Sequence, residues 1–367
     1  MTGILLNWRN KQFKGGCMDR RNFLKSSLLG LMPAAAASPI TNAVAATNDS
    51  FMREDFSSFK TTAKYPMVDS HLHYVDSLQQ TDGLKQLTGA MDSCGVAASV
   101  LFGMPMVKMW DANAPQKPSY YMSNDSRCYH YSATDYLFLK HLGDAPTSIR
   151  KRFIPFVCGV NINDLMAETY LRRLFDEFPS LIKGIGEIMS RHDDLTAYTY
   201  GEPPRADHPA LMKIYDLAVE KNVPVLIHHN IAPSYAKEPL YLQEMLRGLR
   251  HNRKANIIWA HVGVSRRVEV PNLLEIADST LKDNKNLFFD ISWLVFEEYI
   301  AKSERLLDQW AALIRKYPDR FMVGTDVVGH WKQYKANIEK YYVLLDRLPK
   351  DAAQDLSFGN ILRLCHL

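Results

Sequence analysis

The chain has 367 residues, 47% of them apolar and 23% charged, with 44 basic and 40 acidic side chains. This is the composition of a globular protein with a sizeable core, and it excludes a disordered or collagen-like chain. The length suits one large α/β barrel or two ordinary domains.

Residues 1–46 stand apart from the fold. Asp19-Arg20-Arg21-Asn22-Phe23-Leu24-Lys25 precedes a modestly apolar run over 26–37, and Ala43-Val44-Ala45 supplies the small residues a signal peptidase accepts. A basic head, a short apolar middle and an A-x-A end describe an export signal, and the paired arginines with Phe-Leu-Lys resemble the twin-arginine class. The run is broken by Pro33 and falls short of the roughly 20 apolar residues that span a bilayer, so no membrane anchor is expected after cleavage. Met18 is the expected true start, and the expected location is periplasmic or otherwise exported. Residues 47–65 form a lead-in, and the catalytic barrel is expected over 66–367.

The segment 1–46 carries six of the 44 basic residues and one of the 40 acidic ones, which leaves 38 and 39, a net charge of −1. No basic stripe with interleaved aromatics remains, so nucleic acid is not an expected partner. The expected partners are a small-molecule substrate and, during export, the twin-arginine translocase; self-association into a homo-oligomer is left open. Cys94, Cys128, Cys158 and Cys365 show no C-x-x-C spacing, which points to neither a zinc knuckle nor a redox pair. A protein that folds before export keeps most such thiols buried and free.

From residue 66 onward, short apolar runs alternate with helix-period segments. Strands are expected at 68–71, 97–102, 153–160, 181–186, 223–227, 256–260, 287–291 and 320–324. Helices are expected at 83–93, 164–178, 208–221, 239–250, 271–283, 303–317 and 331–348. The strand runs are apolar throughout and do not alternate, as expected when both faces of a parallel sheet are covered. Eight strand–helix units in about 300 residues predict a single-domain (β/α)₈ barrel. A doubly wound sheet is the structural alternative, but no Gly-x-Gly-x-x-Gly follows the first strand. Long connections after the second and fourth strands, at 103–132 and 189–207, exceed ordinary βα loops. The first is rich in Tyr and Trp, which suits an ordered lid over the barrel mouth.

In such barrels catalytic groups sit at the C-terminal ends of the strands. Strand one ends in His71 and His73, whose i, i+2 spacing points both imidazoles to one side. Strand four ends in Glu187, strand five in His228 and His229, strand six in His261 and strand eight in Asp326. Five of only 12 histidines fall at these positions. Imidazole and carboxylate at converging strand ends predict a divalent metal, with Zn²⁺ first, Mn²⁺ as the alternative, and one ion or two.

His71-x-His73, Gly184-Ile185-Gly186-Glu187-Ile188, Val225-Leu226-Ile227-His228, Trp259-Ala260-His261-Val262-Gly263 and Gly324-Thr325-Asp326 together resemble the amidohydrolase superfamily. The branch they look most like contains aminocarboxymuconate-semialdehyde decarboxylase-like proteins. The likeness runs from about Tyr65 to the closing stretch Phe358-Gly359-Asn360-Ile361-Leu362-Arg363-Leu364. It implies metal ligation by His71, His73, Glu187, His228 and Asp326, proton acceptance by Asp326, and contact of His261 with a second metal or with developing negative charge. Where other branches carry a carboxylated lysine at the end of strand four, this chain has Glu187, and Lys183 lies at the wrong end of the strand. A glutamate there can bridge two ions, as in a nuclease branch of the superfamily.

The expected activity is metal-dependent hydrolysis, with a metal-activated water attacking an amide, ester or lactone carbonyl. The alternatives are a non-oxidative decarboxylase of aromatic or unsaturated carboxylic acids and a non-catalytic metal-binding periplasmic protein. Arg127, Tyr121 and Arg191 are candidates for contact with substrate, Asp69 for orienting an imidazole or capping a strand, and His229 for a supporting or core role.

Overall fold

The computed structural model describes residues 56, 59–113, 116–119 and 126–367. The export signal and Tyr121 lie outside the described residues. Eight parallel strands pair in chain order: β1 (Met67–Asp69), β2 (Val96–Leu101), β3 (Phe153–Val157), β4 (Gly184–Met189), β5 (Val225–His228), β6 (Ile257–Trp259), β7 (Leu287–Asp290) and β8 (Phe321–Met322). The ring closes where Val327–Val328 pairs in parallel with Leu72–His73, and the Ser70 N–H donates to the Val323 carbonyl at 3.0 Å. The chain is therefore a (β/α)₈ barrel.

Uninterrupted apolar strands are required because both faces are buried. Alternate residues such as Val100, Ile154, Phe156, Leu226, Ile258 and Met322 gather in one cluster that also holds Ile361 and Leu362 of the C-terminal helix Asn360–Leu364. Their strand neighbours join the larger cluster made with the surrounding helices. Opposite projection of successive residues separates the barrel interior from the helix layer.

The outer helices are α1 (Leu84–Asp92), α2 (Ala133–Asp144), α3 (Ala167–Glu177), α4 (Pro209–Lys221), α5 (Leu242–His251), α6 (Leu273–Asp283) and α7 (Glu304–Lys316). Local signals fix their ends. The His208 side chain caps α4, Pro209 occupies its first turn, and Asn222 closes it in the left-handed region at φ 55°. Ser303 caps α7 through the Leu306 N–H. The helix expected at 331–348 is instead two short ones, Tyr334–Glu339 and Tyr342–Leu345.

Two differences from the sequence expectation bear on the site. The fourth strand starts at Gly184 rather than at 181 and runs through Glu187, so Glu187 is a strand residue and not a loop residue. Gly184 is required there because a Cβ would collide with the Phe156 ring of β3. Gly186 has φ 144°, and a Cβ on it would lie 2.5 Å from the Leu226 carbonyl oxygen. The second difference is the insertion after β2. Its ends form an antiparallel ribbon, Met106–Lys108 with Cys128–His130, and α2 follows directly. Buried Asp135 of α2 ties this insertion to the end of β3, accepting from the N–H groups of Cys158 at 2.9 Å and Gly159 at 2.8 Å. The cysteines at 94, 128, 158 and 365 are buried and free. Among the described residues, no helix is long and apolar enough to cross a membrane.

Candidate metal centre

Five strand ends converge on one buried point. His71 and His73 follow β1, Glu187 lies in β4, His228 ends β5, His261 follows β6 and Asp326 follows β8. Each imidazole is fixed through its outer nitrogen. His71 Nδ1–H donates to Asp290 Oδ2 at 2.8 Å, and His73 Nδ1–H to the Gly103 carbonyl at 2.9 Å. His228 Nε2–H donates to Asn230 Oδ1 at 3.1 Å, and His261 Nδ1–H meets Ser292 Oγ at 2.9 Å. Ser292 passes its own hydroxyl proton to Asp290 Oδ2 at 2.6 Å, so Asp290 anchors two of the four rings.

With the outer nitrogens protonated, the inner ones present lone pairs to carboxylate oxygens. His73 Nε2 lies 3.1 Å from Glu187 Oε2 and 3.4 Å from Asp326 Oδ1. His71 Nε2 lies 3.4 Å and 3.2 Å from the same two atoms. His228 Nδ1 is 3.1 Å and His261 Nε2 3.6 Å from the other Glu187 oxygen, Oε1, and His261 Nε2 is 3.6 Å from Asp326 Oδ2. Acceptors facing acceptors at these distances repel one another unless a metal ion or protons lie between them. His71 Nε2 is buried with no hydrogen-bond partner, the mark of an atom placed for a ligand bond.

Three groups of side chains could hold an ion: His71, His73, Glu187 and Asp326; Glu187, His228 and His261; and His71, His261 and Asp290. Donor separations of 3.1–3.6 Å suit ligands sharing one ion at bond lengths of roughly 2.0–2.2 Å. The residues thus fit a divalent metal. Without it, the site binds protons. Burial opposes charge on His71, but Glu187, Asp326 and Asp290 raise its pKa well above the ordinary value. Burial also disfavours charge on Asp326, yet the surrounding imidazoles hold its carboxyl well below the usual carboxylate range.

Asp326 is the most open member of the first group, with 13% of its side chain exposed. With His73, Glu187 and His228 it floors a cavity of about 60 Å³ walled by Met104, Met189, Leu195, Trp293 and Val328. His192 stands at the edge of this cavity and of an adjoining one of about 340 Å³, which Arg191, Tyr235 and Tyr241 help to line. Its ring stacks on His228 at 4.3 Å between centroids, while Trp293 meets His261 edge-on at 5.2 Å.

The other candidates fall elsewhere. The Arg191 guanidinium makes two bonds to Glu244, at 2.6 Å and 2.8 Å, and lies 3.8 Å above the Tyr241 ring. Arg127 stacks over Tyr200 at 5.0 Å. Asp69 orients no imidazole; it accepts from Thr325 Oγ1 at 2.7 Å and from the N–H groups of Thr325 and His71, clasping β1 to the segment after β8. His229 is a core residue held by Ser190 Oγ and the Tyr241 carbonyl, and burial pushes its pKa down to about 3. Lys183 opens on a separate cavity with Cys365 and His366 near the C-terminus. Asp290, Asn230, Ser292 and Trp293 were not singled out by sequence reasoning. Asp290 alone carried a signal, an acidic residue closing the apolar run Leu287-Phe288-Phe289.

No family model and no curated protein matches the chain in sequence. Solved structures do match it. An uncharacterized TIM-barrel protein of Bordetella bronchiseptica superposes with a TM-score of 0.53 at 13% identity, over 82% of this chain and 99% of its own. An amidohydrolase of Burkholderia multivorans with bound zinc gives 0.52 at 14% identity, over 83% and 100%. A probable 2-pyrone-4,6-dicarboxylic acid hydrolase of Acinetobacter baumannii with citric acid bound gives 0.52 at 13%, over 83% and 100%. At these identities the likeness is one of fold: the chain shares its barrel with these proteins.

Proposed function

We propose that the protein is a metal-dependent hydrolase of the amidohydrolase type that cleaves an amide, ester or lactone carbonyl, and that it acts after export by the twin-arginine route. One observation carries the hydrolase reading: four histidines with hydrogen-bonded outer nitrogens turn their inner nitrogens onto the Glu187–Asp326 carboxylate pair. The zinc in the Burkholderia barrel and the hydrolase assignments of two of the matched structures support it.

Glu187 turns Oε2 to His71 and His73 and Oε1 to His228 and His261. This division favours two ion positions sharing one carboxylate. When bound, a divalent ion supplies Lewis acidity there, polarising a carbonyl and making water a stronger acid. The protein's own groups do the rest. Asp326, the carboxylate open to the cavity, takes the proton of the attacking water and returns it to the leaving group. His261, 3.6 Å from Asp326 Oδ2, is placed beside the developing negative charge. The apolar walls exclude bulk water and strengthen these interactions.

The test is the mature protein loaded with Zn²⁺ or Mn²⁺ and offered esters, lactones and amides, with CO₂ release from aromatic carboxylic acids followed in parallel. Hydrolysis that falls on the order of 10²-fold or more in Asp326→Asn, while most of the metal is retained, is the expected outcome. CO₂ release without hydrolysis would move the assignment to a decarboxylase. Metal binding without turnover of any of these substrates would move it to a binding protein.

A further inference from the structure

We infer that this site selects uncharged substrates: an ester, lactone or amide whose acyl part carries no carboxylate away from the reacting carbon. The inference rests on the hydrolase reading for the reaction and on the cavity walls for the charge.

Among the described residues lining the metal cavity there is no lysine or arginine. Its walls are thioether, aliphatic and indole groups from Met104, Met189, Leu195, Val328 and Trp293, which give a carboxylate no donor. Four cations on neighbouring segments have partners of their own. Arg191 is held by two bonds to Glu244 and by the Tyr241 face. Lys340 bonds the Trp293 carbonyl at 3.1 Å and Glu297 at 2.8 Å. Arg267 pairs with Asp194 at 2.7 Å, and Lys108 lies over the Tyr198 ring. Residues 114–115 and 120–125 of the long insertion contain no lysine or arginine that could supply the missing charge.

The fixed charge of the site is negative. Glu187, Asp290 and Asp326 set three carboxylates around the metal position, so one divalent ion leaves a net −1 and two leave +1, already shared among those carboxylates. In the adjoining cavity, Asp193 turns a buried Oδ2 with no hydrogen-bond partner into the wall. Away from the reacting carbon and the ions, a substrate carboxylate would be stripped of water against apolar groups, with no lysine or arginine among the described lining residues to offset the loss. Burying a charge without a partner is unfavourable.

Two p-nitrophenyl esters of equal length, the butyrate and the hemisuccinate, differ only in a terminal methyl or carboxylate. With the Zn²⁺-loaded protein, kcat/KM for the butyrate is expected to exceed that for the hemisuccinate by about tenfold or more. Val328→Lys, at the partly exposed mouth, is expected to narrow that ratio by raising the hemisuccinate arm. Calorimetric binding of N-phenylbutyramide and N-phenylsuccinamate provides a readout that needs no turnover. If neither ester is cleaved but the neutral amide binds about tenfold tighter, the hydrolase reading fails and the charge selectivity stands. Equal or tighter binding of the succinamate, equal cleavage of the two esters, or no binding of the neutral amide overturns it.

Discussion

His71 and Asp290 are both fully buried, and their Nδ1 and Oδ2 atoms lie 2.8 Å apart. The carboxylate can only accept, so the proton sits on Nδ1 and the lone pair of Nε2 faces Glu187 and Asp326. Asp290 therefore sets the tautomer of His71, a proposed metal ligand, and through Ser292 it does the same for His261. Removing such a partner typically costs 10–100-fold in metal affinity. Asp290→Ala is expected to weaken Zn²⁺ binding by about that factor, measured by competition with a chromophoric chelator, with Asp290→Asn intermediate. An unchanged affinity in both variants would show that His71 is oriented by packing alone.

Glu187 faces two imidazoles with each of its oxygens, and a carboxylate so placed can join two ions. The wild-type protein, saturated with Zn²⁺ and freed of excess by gel filtration, is expected to hold two equivalents by elemental analysis. Glu187→Ala removes the shared oxygens and should lower the count to one or fewer. A wild-type count of one at saturation would rule out the shared arrangement and leave His228 and His261 facing the substrate.

Much of this centre was legible in the sequence, because a strand-end rule needs only local information. An apolar run followed by His, Glu or Asp marks a side chain at the barrel mouth, and His71, His73, His228, His261 and Asp326 all obey it. Glu187 was found by the same rule although its strand begins three residues later than expected; the apolar run 181–186 contains both a turn and a strand, and periodicity does not divide them. Asn230, Ser292 and Trp293 were not legible. Ser292 acts through a contact across strands, relaying His261 to Asp290, and Asn230 by its side chain reaching back to His228 two residues earlier. Helix α2, which begins just past the connection expected at 103–132, was also missed, although Phe138, Leu139 and Leu142 form its buried stripe.

The proposed twin-arginine export depends on Arg20 and Arg21. Changing both to lysine retains charge but removes the planar guanidinium groups. The double variant is expected to accumulate in the cytoplasm of a host with a working twin-arginine translocase, while wild type appears in the periplasm at mature size. Cell fractionation and immunoblotting check this, and periplasmic protein from the double variant would rule out that route. Deleting residues 1–17 is expected to leave export unchanged.

The insertion after β2 is tied down by a carboxyl group whose ionisation is linked to folding. Burial pushes the pKa of Asp135 up to about 6, the larger effect, while the N–H groups of Cys158 and Gly159 pull it down. A carboxyl whose pKa is higher folded than unfolded binds its proton more tightly in the folded state. Its contribution to stability is therefore full below the unfolded pKa near 4 and is lost as pH rises through about 6. A shift from 3.8 to about 6 corresponds to roughly 3 kcal/mol. Asp69 has the same sign and window, its pKa also raised to about 6, so the informative comparison is between wild type and Asp135→Asn. Urea unfolding of both, free of metal so that the histidine cluster titrates alike in each, gives the stability gap at each pH. Wild type minus variant is expected to fall by roughly 2 kcal/mol between pH 4 and pH 7. A gap that stays constant over that range would mean Asp135 ionises equally in the folded and unfolded chains, and that its bonds to the end of β3 hold the insertion independently of charge.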